Sequence, residues 1–162
     1  MERIICLAIG YLFGMFQTSY IIGKIHHMDI RQYGSGNAGT TNALRTLGKK
    51  AGAMTLIGDM LKCVIAILIV DAVFKNRYQE ILPLLGMYTA AGCVLGHNFP
   101  FYLGFRGGKG IAASAGMLLA MDWRVFLICA VIFIGLVAIT RYVSLGLSLI
   151  HISEPTRLAL IS

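Results

Sequence analysis

The run Tyr33-Gly34-Ser35-Gly36-Asn37-Ala38-Gly39-Thr40-Thr41-Asn42-Ala43-Leu44-Arg45 concentrates three glycines, two threonines, two asparagines, a serine and a closing arginine. Glycine admits φ > 0 and close backbone approach, so successive N–H groups can turn toward one point. Hydroxyls and amides add neutral donors, and an arginine fork matches two oxygens of a phosphate. This is the composition of an oxyanion cradle. Standing alone, the same run would more often be a polar loop between helices. A second glycine-rich basic segment, Gly104-Phe105-Arg106-Gly107-Gly108-Lys109-Gly110, follows later in the chain, and Arg141-Tyr142-Val143-Ser144 supplies a third polar cluster.

The second segment is not a nucleotide P-loop. That pattern needs four residues between its glycines and Ser or Thr after the lysine. Here three residues separate Gly104 from Gly108, and Gly110 follows Lys109. A glycine turn beside a lysine, opening directly into a helix, still suits a phosphate. The His-x4-Asp signature of soluble acyltransferases is absent, since Tyr102 stands at that spacing from His97. His97 is left as either a hydrogen-bonded structural histidine or a substrate contact and proton acceptor. Cys6, Cys63, Cys93 and Cys129 sit apart in apolar segments with no metal-ligand spacing, so they read as small core residues. No metal and no cofactor is implied.

Positioning these groups falls to apolar helices. Of 162 residues, 57% are hydrophobic and only 13% charged, against about half and a quarter in soluble domains. The mean hydropathy is +0.77. The expected fold is an all-α, polytopic integral membrane helix bundle with about five spans: residues 4–25, 51–74, 80–95, 111–121 and 125–140. The first is read as a retained span, because no small-residue cleavage site follows it. Gly10, Gly14 and Gly23 would admit a neighbouring helix. The fourth span is short, which places part of the glycine segment at membrane depth, where irregular backbone must line a cavity. Asp59 and Lys62 share one face of the second span. An ionised group there costs roughly 2.5–3.5 kcal/mol on insertion scales, so an inward-facing pair is expected, either purely structural or shaping a substrate pocket.

The net charge of +7 does not indicate nucleic acid, because the basic residues lie between apolar segments without interleaved aromatics. The loops after the first, third and fifth spans carry Lys24, Arg31, Arg45, Lys49, Lys50, Arg106, Lys109 and Arg141, eight in all. The other side carries four: Arg3, Lys75, Arg77 and Arg124. The positive-inside rule then predicts a cytoplasmic location for all three motif loops, with the N-terminus outside.

Taken together, Gly34-Ser35-Gly36-Asn37-x-Gly39-x-Thr41-Asn42 with Arg45, Gly96-His97-x-Phe99-Pro100 leading to Gly107-Gly108-Lys109-Gly110, and Arg141-Tyr142-x-Ser144-Leu145 resemble the bacterial acyl-phosphate:glycerol-3-phosphate acyltransferase family (PlsY type). Asp59 and Lys62 fall where that family has an Asp-x-x-Lys. The resemblance implies an enzyme of the bacterial inner membrane that moves a fatty acyl group from acyl phosphate to the sn-1 position of glycerol 3-phosphate. The products are lysophosphatidic acid and phosphate, at the start of phospholipid synthesis. Under it, Ser35, Gly36, Asn37, Gly39, Thr41, Asn42, Gly107, Gly108 and Gly110 are expected to hold the acyl phosphate. Arg45, Lys109 and Ser144 are expected to grip glycerol 3-phosphate, with His97 as the catalytic candidate. A phosphate or organophosphate transporter and a lipid-binding scaffold are the alternatives. The first is weakened because no pair of broken helices recurs as an inverted repeat.

The sequence from residue 147 onward resembles the conceptual translation of a sequencing-library adapter. Residues 1–146 are therefore expected to be the acyltransferase membrane domain, lacking the family's last helices. Residues 147–162 are kept out of mechanism as a scar.

Overall fold

The structure, a computed structural model, describes residues 1–140. Seven α-helices lie in that range: α1 (Glu2–Gly14), α2 (Thr18–Ile25), α3 (Thr40–Leu47), α4 (Lys49–Phe74), α5 (Leu82–Asn98), α6 (Ile111–Met121) and α7 (Trp123–Thr140). Residues up to Met121 form one compact unit; α7 belongs to the next. Taken by itself, α7 is a run of 18 residues, apolar after its start, whose entry is capped by Arg124 N donating to Asp122 Oδ1 at 2.8 Å.

In the first unit α1, α4, α5 and α6 pack through small residues. Cβ atoms added at Gly10 and Gly14 of α1 would collide with the Thr89 and Cys93 carbonyls of α5, and at Gly92 and Gly96 of α5 with Leu7 O and Tyr11 O of α1. The two helices meet backbone to backbone through reciprocal small-xxx-small faces. Gly116 brings α6 onto the Met60 carbonyl of α4 in the same way. Buried Cys63, Ile67, Ala90, Cys93 and Ala113 fill the space between α4, α5 and α6. Cys6, Val70 and Leu85 fill that between α1, α4 and α5. Three of the four cysteines are thus buried core residues; Cys129 is half-buried. Outward, α4 exposes Met54, Leu56, Ile57, Leu61, Ile65, Leu68, Ile69 and Val73, an apolar face suited to hydrocarbon.

Three expectations change. The first span is one apolar segment of 24 residues, Glu2–Ile25, but its helix is broken over residues 15–17. Gln17 is extended (φ −101°, ψ 95°) because its side chain reaches across to α5. The segment between the first two spans is not merely a loop. It contains a 3₁₀ turn at Ile30–Gln32 and all of α3, anchored on buried Ile30, Ala38 and Ala43. Gly23 faces the Met28 carbonyl and Ile30 rather than another spanning helix.

Gly14→Ala is expected to cost about 3 kcal/mol or more, because backbone atoms cannot yield as side chains do. Gly86→Ala, whose Cβ would meet only Ile67 Cγ2 at 3.7 Å, should be neutral or stabilising. Thermal unfolding in detergent micelles separates the two.

Candidate active site

The helix break creates the first problem that the site must solve. It leaves the Gly14, Met15 and Phe16 carbonyls without intrahelical donors, inside an apolar segment where each unpaired group costs several kcal/mol. Lys62 of α4 donates to Gly14 O at 3.0 Å and to Phe16 O at 2.6 Å. The Tyr102 hydroxyl donates to Met15 O at 2.7 Å. Asp59 lies one turn before Lys62 on α4, and its Oδ1 sits 3.1 Å from the ammonium while accepting from Thr18 Oγ1 at 3.0 Å. Asp59 is 1% exposed and Lys62 5%, so removing either partner would strand a buried charge, at about 3–5 kcal/mol.

The same ammonium reaches α5. Lys62 Nζ lies 2.8 Å from His97 Nδ1. An ammonium has only protons to offer, so Nδ1 is the acceptor and the neutral ring carries its proton on Nε2. His97 is 2% exposed, and its Nε2 edge is covered by Gly108, where a Cβ would collide with it. The backbone around it is equally engaged. His97 O accepts from Gln17 Nε2 at 2.7 Å and from Gly108 N at 3.0 Å, and Asn98 O accepts from Gly107 N at 3.1 Å. The glycine turn thereby supplies donors to the last carbonyls of α5.

Two further bonds bring the two glycine segments together. Ala38 N donates to Gly107 O at 3.4 Å, and Arg31 Nη1 to Leu103 O at 2.8 Å. Arg31 is held by Asp29 through Nη2–Oδ2 at 2.7 Å and Nε–Oδ1 at 3.0 Å. This bidentate bond keeps the Asp29 carboxyl below its ordinary range and raises the arginine.

Asn42, on the first turn of α3, shapes the first segment. Its Oδ1 accepts from Ser35 N at 3.0 Å, while Nδ2 donates to Ile30 O at 2.9 Å and Tyr33 O at 3.1 Å. Gly34 and Gly36 hold φ of +60° and +72°, the left-handed region that this tight wrap requires.

Several sequence-expected ligands are therefore engaged elsewhere. The amides of Gly36, Gly107 and Gly108 and the side chain of Asn42 bond inside the protein. At these positions the residue type serves chain geometry. The amides of Asn37, Gly39, Thr40, Thr41 and Gly110 carry no hydrogen bond among the described residues, and α3 begins at Thr40 with no side-chain cap. Asn37 Oδ1, Thr40 Oγ1 and Asn98 Oδ1 are buried and unpartnered. Ser35, Arg45 and Lys109 are exposed. Arg141 and Ser144, with residues 147–162, lie outside the described residues. Sequence reasoning passed over Thr40 and Asn98 and counted Arg31 only as a basic loop residue. It did single out Gln17, grouped with Thr18, Ser19 and Tyr20 near the end of the first span and facing either a partner helix or the site.

An apolar helical bundle with a buried charged network and two abutting glycine-rich segments beside an exposed arginine and lysine defines an integral membrane protein built to handle a phosphorylated ligand. The glycerol-3-phosphate acyltransferase family model matches residues 4–161. The glycerol-3-phosphate acyltransferase of Clostridioides difficile (strain 630) is 55% identical over 145 residues, covering 88% of this chain and 70% of that protein. That of Lactiplantibacillus plantarum is 46% identical over 149 residues, covering 90% and 68%. The crystal structure of PlsY (YgiH), an integral membrane glycerol 3-phosphate acyltransferase, in its glycerol 3-phosphate form superposes with a TM-score of 0.79 at 35% identity. It covers 94% of this chain and 74% of that one. The lysophosphatidic acid form gives 0.77 at 34%. The chain belongs to the glycerol-3-phosphate acyltransferase family, and its fold is that of the integral membrane enzyme PlsY.

Asn42→Ala strands Ser35 N and leaves Ile30 O and Tyr33 O with one backbone donor each, from Tyr33 N and Gly36 N, at about 1–3 kcal/mol in all. The loss should appear as faster proteolysis within residues 26–39 while the spanning helices stay protected.

Proposed function

We propose that the enzyme takes its acyl group from acyl phosphate and holds that donor's phosphate at the N-terminal turn of α3. The observation that carries this reading is the Ala38–Gly107 hydrogen bond, which abuts the two glycine segments and sets the unpartnered α3 amides beside the Lys109 turn. Asn37, Gly39, Thr40 and Thr41 supply N–H groups, the Ser35 hydroxyl adds a donor, and Gly110 completes the cradle. A helix N-terminus favours an anion electrostatically as well.

Thr41 and Arg45 are four residues apart and share one face of α3. Helical side chains lean toward the N-terminus, which directs the exposed Arg45 guanidinium back toward the cradle. Arg45 and Lys109 then bind the phosphate of glycerol 3-phosphate, with Ser144 as a third contact.

The chemistry needs little activation. The donor is a mixed anhydride: the sn-1 hydroxyl oxygen attacks the acyl carbon, the bond from that carbon to the phosphate oxygen breaks, and phosphate leaves as a stable anion. Positioning and fixed donors supply most of the acceleration. His97 Nδ1 already accepts from Lys62. The proton released by the hydroxyl therefore passes to a phosphate oxygen of the substrates, and His97 organises the site rather than acting as base. The acyl chain lies between helices against lipid.

The enzyme sits in the bacterial inner membrane with the N-terminus outside and the motif loops in the cytoplasm, as the eight-to-four distribution of basic residues supports. Cysteines introduced at Ser35 and Lys109 should both react with an impermeant maleimide only from the cytoplasmic side; labelling from opposite faces would end the shared-site reading.

Arg45→Ala is expected to raise KM for glycerol 3-phosphate by about 10- to 100-fold, the loss of one charge-assisted fork, with the fold intact. An unchanged KM removes Arg45 from the site. Lys109→Arg should also lose activity, because a planar guanidinium does not replace a compact ammonium in a glycine turn. Activity with acyl phosphate, but not with an acyl thioester, tests the donor.

A further inference from the structure

We propose that Lys62 is the positioning residue for the glycine turn that presents Lys109, acting through His97. The inference rests on the reading that Lys109 binds the phosphate of glycerol 3-phosphate, and it assigns a task to a buried charge that no substrate contact requires.

Lys62 has more acceptors than protons. Gly14 O, Phe16 O, Asp59 Oδ1 and His97 Nδ1 all lie within 3.1 Å of one ammonium, which offers three N–H bonds. Capping the broken helix and neutralising Asp59 do not exhaust its contacts: four acceptors share three protons, and the 2.8 Å approach to His97 Nδ1 is shorter than that to Gly14 O or Asp59 Oδ1. The short contact to His97 is the surplus feature, and it fixes both the tautomer and the plane of the ring.

The far side of that ring is the surface on which the turn rests. Gly108 packs on Nε2 so closely that no Cβ fits, and Gly108 N is bonded to the carbonyl of the same histidine. Gly107 is bonded one residue further on, at Asn98 O. Lys109 follows directly, and Gly110 at φ +76° turns the chain into α6. A rotated His97 ring would displace Gly108 and with it Lys109. The path from ammonium to ammonium crosses a single buried side chain.

The discriminating measurement is steady-state kinetics of the purified enzyme in lipid with Lys109→Ala, Lys62→Met, their double variant, His97→Asn and His97→Leu. A merely structural loss removes active molecules: apparent kcat falls and KM for glycerol 3-phosphate stays. A positioning role moves KM instead. Lys62→Met should raise KM by about tenfold, on the scale of one charge-assisted bond, and the double variant should be no worse than Lys109→Ala alone.

His97→Asn offers an oxygen where Lys62 finds Nδ1, and should keep a KM several-fold below that of His97→Leu. This pair decides the matter if Lys62→Met fails to fold; equal KM values in the two overturn the proposal. A raised KM in Lys109→Ala but not in Lys62→Met overturns the proposal and leaves the phosphate reading standing. Multiplicative effects in the double variant do the same. An unchanged KM in Lys109→Ala removes both.

Discussion

Three consecutive carbonyls, at Gly14, Met15 and Phe16, set the constraint on which this structure depends. A helix interrupted within an apolar segment has no water to satisfy its open groups, so side chains from other elements must do so. Lys62 and Tyr102 meet that demand. Bringing an ammonium to the break requires a carboxylate beside it, and Asp59 is fixed by Thr18 just past the break. The charged pair inside the bundle is the consequence of the interrupted helix.

The chain of dependence continues outward. Gln17, freed by its extended backbone, reaches the carbonyl of His97 at the end of α5, where the first turn of the glycine segment also bonds. The glycine turn in turn supports Ala38 and the entry to α3. The exposed ends of the two glycine segments thus rest on groups buried in the dry interior. Preorganised donors of this kind need no rearrangement when charge develops.

Much of this was legible in residue types, and the failures have a common cause. The bounds of α6 follow directly from apolar composition, and the shared face of Asp59 and Lys62 follows from a three-residue step. The glycine segments were visible as anion-friendly, and their adjacency is found in the structure. Hidden were the break after Gly14 and the helix at Thr40–Leu47. The break lacks proline and is enforced by partners 46 to 87 residues away in sequence. The helix has the composition of a loop because Thr, Thr and Asn open it, yet Asn42 uses that polarity to tie down the preceding turn. Spacing shows which residues can share a face. It does not show which N–H groups will already be engaged: those of Gly107 and Gly108, both expected as ligands, donate to the Asn98 and His97 carbonyls.

The seam between α1 and α5 has a consequence for traffic through the enzyme. With glycine on both sides and main chain against main chain, there is no layer of side chains whose rotamers could change to let these helices slide or part. That pair behaves as a fixed wall. A long-chain substrate arriving from the bilayer, and an acylated product returning to it, must pass through some other flank of the bundle, leaving the wall to hold the register of the site during every turnover.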